Sequence, residues 1–121
     1  MMEAQDFLYR FERGHRDFKG IDLSGVDLSG LDLSKLSFSQ ANFSGANLRG
    51  TKLRDCNLRG ADLTNADLSD ANLCDANLRR ATLNGANLTN ADLFTAKLTD
   101  VDFSGARVDG AKFPRGWQDR V

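Results

Sequence analysis

Asp22, Asp27 and Asp32 stand five residues apart and offer three carboxylates to a hard cation, provided that they converge on one point. His15 is the only histidine, and no nucleophile–base pair recurs at a fixed offset, so the chemistry of an enzyme has nothing to stand on. No catalytic residue, metal or cofactor is therefore expected. Asn42-Phe43-Ser44 and Asn87-Leu88-Thr89 match the glycosylation sequon, although a repetitive sequence generates such triplets by itself. Two other sets merit attention as candidate protein-interaction residues. Arg59, Arg79, Arg80 and Lys97 gather cations, and Cys74, Phe94, Pro114 and Trp117 gather apolar groups.

The spacings within these sets follow from a five-residue unit. It runs from Ile21-Asp22-Leu23-Ser24-Gly25 to Ala111-Lys112-Phe113-Pro114-Arg115, nineteen units without insertion or deletion. A period of five is neither helical nor strand-like, so each unit must hold a short extended piece and a corner. Gly closes the unit at 25, 30, 45, 50, 60, 85, 105 and 110, and Asn at 65 and 90. Both tolerate the positive φ that the third residue of a type II corner requires.

The A(D/N)LxG-like unit resembles the pentapeptide-repeat family over Ile21 to Arg115. The resemblance implies an all-β fold: a right-handed quadrilateral β-solenoid of just under five coils, four units to a coil. Its inward positions would be the first residue of each unit and the central Leu or Phe. Stacked at the strand spacing of about 4.8 Å, the coils would make a rod about 23 Å long.

Sorting the units by four gives four faces. The first is centred on Leu23, Phe43, Leu63, Leu83 and Phe103, and the second on the series Leu28 to Val108. The third is centred on Leu33, Leu53, Leu73, Leu93 and Phe113, and the fourth on the series Phe38 to Leu98. On such faces Asp22, Asp27 and Asp32 diverge and cannot surround one ion, so bonding to their own backbone is the expected role. The third face ends its units in Lys35, Asp55, Asp75, Thr95 and Arg115, side chains that disfavour positive φ and so predict another turn type. Arg59 and Arg79 fall in one outward column of the fourth face. Cys74, Phe94 and Pro114 fall in one outward column of the third, with Trp117 nearby. Cys56 points inward and Cys74 outward, which is wrong for a disulfide and fits a reducing compartment.

Ala4, Phe7, Leu8 and Phe11 make one apolar helix stripe, with Gly14 as the stop. This predicts a short N-terminal α-helical cap over about Glu3 to Arg13, covering the large first-coil residues Ile21, Val26, Leu31 and Leu36. The chain divides into residues 1–20 (cap and a degenerate linking unit, Arg16–Gly20), 21–115 (solenoid) and 116–121 (a tail whose Trp117 covers the last coil).

At 121 residues with a net charge of −1, the composition describes one soluble domain. Balanced charge argues against nucleic-acid and anionic-membrane partners, and the absence of a long apolar run makes a cytoplasmic location the expectation. The reading is a non-catalytic protein-interaction scaffold with an unidentified protein partner. A monomer is favoured over a weak C-terminal dimer. The alternatives are a structural module without a ligand and a DNA mimic that binds a topoisomerase. The gyrase-protecting branch of the family is longer and acid-rich, which this chain is not.

Overall fold

The computed structural model describes residues 4–117. Glu3 of the expected cap and Gln118 to Val121 of the expected tail lie outside the described residues.

Each unit makes its isolated parallel bridges at its second residue, one to each neighbouring coil, and every partner lies twenty positions away. Four columns of bridges result, for example Asp22–Asn42–Asp62–Thr82–Asp102 and Asp32–Lys52–Asn72–Asp92–Lys112. The unit 61–65 shows why the pattern is stable. Asp62 N–H donates to the Ala41 carbonyl (2.9 Å), Leu63 N–H to Thr82 (2.8 Å) and Asn65 N–H to Asn84 (2.9 Å). Ala61 N–H donates within the coil to Leu58 (3.0 Å), and Thr64 N–H donates to Asp62 Oδ1 (3.0 Å). All five backbone donors are thus satisfied, which buried backbone demands. The recurrent Asp or Asn at the second position is therefore a local acceptor, as expected.

At Asp22, Asp27, Asp67, Asn87 and Asp102 this acceptor has a second duty. Ser24, Ser29 and Ser104 donate both N–H and hydroxyl to Asp22, Asp27 and Asp102. The hydroxyl bond first, and the N–H bond second, hold these carboxyls below their ordinary value. A depressed carboxyl contributes stability above its unfolded-state pKa of about 3.9 and loses it as pH falls through the folded value. The melting temperature should therefore drop on acidification below about pH 4. The triple variant Asp22→Asn, Asp27→Asn, Asp102→Asn should show a smaller drop, because an amide oxygen accepts the same bonds without titrating. Calorimetry at pH 7 and pH 3 measures this, and an unchanged acid drop in the variant would remove these carboxylates from the explanation.

The inward residues are the first and central ones of each unit. Ala61, Leu63, Ala66, Leu68, Ala71 and Leu73 are all fully buried or nearly so, the small residue leaving room for the large one. Thr51 and Cys56 occupy the Ala position by donating to the carbonyls of Leu28 (2.9 Å) and Leu33 (3.0 Å). Burial pushes the Cys56 thiol up to about 11, so it is a packing group with no thiolate character. Ser69, whose place in the unit is outward, is buried as well and donates to Asp67 at 2.6 Å.

Two expectations need correction. The third-face corners do not change turn type as a group: Lys35 (φ 69°), Asp55 (φ 59°) and Asp75 (φ 63°) all take positive φ. The coil-to-coil bond from the corner N–H, 2.8 Å for Lys35 to Arg54, outweighs the preference of the side chain. Thr95 and Arg115 are absent from the positive-φ residues of this face. Thr95 instead offers its Oγ1, which accepts the Asp75 N–H at 2.9 Å. Its β-branch, which fits positive φ worst, gives the physical reason.

The second correction concerns the cap. Helix α1 (Ala4–Glu12) ends in a Schellman arrangement, with Gly14 at φ 91°, Gly14 N–H on Phe11 (3.0 Å) and His15 N–H on Arg10 (3.0 Å). Phe7 is buried, while Ala4 and Phe11 pack partly against the core. Leu8, expected in the buried stripe, is 37% exposed. The helix rests on Phe18 and Phe38 and not squarely on the whole first coil, so Val26 and Leu31 stay half-buried. Arg16–Gly20 takes up the register of the repeat: Asp17 bridges Ser37, and Gly20 N–H bonds Ser39 at 2.9 Å.

Candidate interaction surface

The third face departs from the repeat where Phe94 stands outward and half exposed (50%). Its N–H is held by Asp92 Oδ1 at 3.1 Å, the same local bond that other units make at this position. Beside the ring lies an open cleft of about 510 Å³ lined by Asp92, Phe94, Ala111, Lys112 and Phe113. Asp92 and Lys112 are bridge partners, which puts an acid and a base of one column at the same cleft. The cleft thus combines one aromatic wall with both signs of charge.

The expected companions of Phe94 are arranged differently. Cys74 and Pro114 are half-buried in the same column but do not line the cleft. The Cys74 thiol is pushed up, first by burial and next by its contact with Asp92, which lowers its thiolate fraction. Both cysteines are free. Trp117 turns to the end of the rod, its ring 6.4 Å from Phe103, which in turn meets Phe113 at 5.7 Å. Asp92, Ala111 and Lys112 escaped the sequence reading. Counting twenty along from each residue beside Phe94 would have found them.

On the fourth face Arg59, Arg80 and Lys97 are exposed and Arg79 is half-buried, all on the stacked units centred on Leu58, Leu78 and Leu98. Among the described residues, the ion pairs are Arg49–Asp70 at 3.8 Å and Arg54–Asp75 at 3.7 Å, both on other faces. No group of three or more His, Cys, Asp or Glu side chains could hold a metal among the described residues, and none of their helices is long and apolar enough to cross a membrane. A second cleft of about 390 Å³ sits where the helix meets the first units, lined by Arg10, Asp17, Phe18, Lys19, Gly20, Ile21 and Asp22.

Similar architecture occurs in a pentapeptide repeat protein of the Arabidopsis thaliana thylakoid lumen, 40% identical, with a TM-score of 0.74 over 77% of this chain and 65% of that one. A pentapeptide repeat protein from Nostoc is 34% identical over 88% of this chain and 96% of that one, with a TM-score of 0.48. HetL, a pentapeptide repeat protein of Nostoc involved in heterocyst differentiation regulation, is 33% identical over 83% of this chain and 50% of that one, with a TM-score of 0.43. The chain thus spans 65% of the Arabidopsis protein and half of HetL. No curated protein matches it in sequence. The pentapeptide-repeats family model matches eight copies, over residues 21–60, 56–93 and 76–113. With the bridges at intervals of twenty residues running through the same region, the chain belongs to the pentapeptide-repeat family.

Proposed function

We propose that this protein is a non-catalytic interaction scaffold, a rigid rod that presents side chains on a fixed grid to a protein partner. Its path is the right-handed, four-sided coil of just under five turns expected from the repeat. The observation that carries the reading is Phe94: a large ring placed outward and half exposed, beside a cleft with a carboxylate and an ammonium group. Exposed aromatics on rigid supports are good anchors, because little conformational entropy is lost when they bind. The working form is a cytoplasmic monomer.

Affinity capture from native lysate tests the proposal by comparing wild type with the double variant Phe94→Ser, Arg79→Ser. Both positions are surface sites, so the variant should fold and melt like wild type. At least one protein retained by wild type should be lost from the variant. Identical sets of captured proteins would leave the rod without a specific ligand.

A further inference from the structure

We infer that the fourth face of the rod docks an acidic helical segment of another protein, held by Arg59, Arg79, Arg80 and Lys97. The inference rests on the scaffold reading and names the chemistry of its partner. The net charge of −1 hides a segregation by face. The first face carries Asp22, Asp62 and Asp102 and no cation, and the second carries more carboxylates than guanidinium groups. The fourth carries the four cations named above with Arg16 and Lys19, against Asp17 and Asp100. One side of the rod is acidic and the other basic.

The basic side also breaks a pairing rule kept on two other faces. On the second and third faces an outward Arg reaches the corner carboxylate twenty-one residues on, Arg49 to Asp70 and Arg54 to Asp75. The same step from Arg59 arrives at Arg80. From Arg79 it arrives at Asp100, yet no ion pair forms between them. Among the described residues, no side-chain hydrogen bond or ion pair engages the charged heads of Arg59, Arg79, Arg80 and Lys97. Like charges stacked on coils about 4.8 Å apart oppose folding unless a counter-charge relieves them.

Spacing selects the occupant. Acidic side chains at i and i+3 or i+4 of a helix lie about 5–6 Å apart, close to the coil spacing of about 4.8 Å. An extended strand repeats same-face side chains at about 6.6–6.8 Å and falls out of step. A carboxylate also suits the bidentate fork of Arg. Nucleic acid fits less well: the cluster spans three coils, about 10 Å, whereas tight binding to a polyanion neutralises a long track of phosphates. A second copy of this chain fits poorly too. Its first-face carboxylates recur only every second coil, and two of them, Asp22 and Asp102, already accept two bonds from their own serines. A first-to-fourth-face contact would moreover be heterologous and would not close.

The probe is a fluorescein-labelled helical peptide with Glu at i and i+4, read by fluorescence anisotropy at low and moderate salt. Wild type should bind it, and more weakly as salt rises. Arg59→Ser, Arg79→Ser, Arg80→Ser should weaken binding about tenfold or more, whereas Arg49→Ser, Arg54→Ser, Arg107→Ser, with the same loss of formal charge on other faces, should stay within about twofold. A Lys-for-Glu peptide, which needs no protein variant, should not bind. Equal losses in the two triple variants, or no binding by wild type, would overturn the inference. So would tighter binding of a single-stranded oligonucleotide or of phosphatidylserine vesicles, or a wild-type oligomer that the fourth-face variant dissolves. Failure here with a positive capture result from the Phe94 and Arg79 variant would sink the acidic partner and leave the scaffold standing.

Discussion

Leu68→Asp should abolish the single cooperative melt of this protein, leaving either an unfolded chain or a split transition. Leu68 is fully buried at the centre of its unit, with Ala66 and Ala71 at the adjoining inward positions. A carboxylate there has no charged partner, and burying one ion costs several kcal/mol even after relaxation. That is comparable with a typical total stability of about 5–15 kcal/mol. Because each coil touches only its neighbours, the damage is felt first in the coils above and below, and a split transition is the form it takes if the ends survive. Leu68→Ala should cost about 2–5 kcal/mol and keep one transition. Thr99→Ala, at an exposed outward position, should melt close to wild type. Thermal unfolding by circular dichroism distinguishes the three. A Leu68→Asp protein that melts like wild type would overturn the inward assignment for every unit, since all share one phase.

That shared phase explains how much of the fold could be read from the residues. Ala61, Leu63 and Asp62 announce the inward and local-acceptor positions because one unit repeats its solution without interruption, and the bridges merely add the interval of twenty. What was misread lies where a side chain competes with the coil. Lys35, Asp55 and Asp75 look wrong for positive φ by local preference, but a corner N–H bonded to the next coil decides the matter. Leu8 fits the core stripe by helical spacing, yet α1 buries Phe7 against Phe18 and Phe38 and leaves Leu8 exposed. No periodicity encodes which residues of the stripe the coil meets. The candidate surface was legible only in part. Phe94 stood out as an intruder in its column, but the cleft beside it requires Asp92 to be stacked on Lys112 and Ala111 to be partly uncovered at the last coil. The segregated charges were hidden for a simpler reason: a sum over the chain cancels what separate faces keep apart.

Phe7→Asp should expose the N-terminal end of the rod and drive association. Phe7 has no exposed surface, and its ring lies 4.7 Å from Phe18, 5.8 Å from Phe38 and 5.8 Å from Phe11. Phe38 continues the contact to Phe43 at 5.0 Å, so one aromatic run links the helix to the second coil. Removing a buried Phe costs about 3–5 kcal/mol, and each aromatic pair adds about 0.5–1.5 kcal/mol to what is lost. A nine-residue helix has too little intrinsic stability to persist undocked, so the change should melt α1 as well. The freed surface joins Phe18 and Phe38 to the half-buried Val26 and Leu31, next to an unpaired coil edge, and such edges recruit other chains. Deleting residues 1–14 should give the same result. Tyr9→Ser, by contrast, removes a ring that is 57% exposed and covered only by the Arg13 guanidinium at 3.4 Å, and it should leave the protein monomeric. Sedimentation velocity with dye binding to exposed apolar surface reads all three. A Phe7→Asp protein that remains monomeric, binds no dye and melts with wild type would show that the coil closes itself and that the helix covers nothing essential.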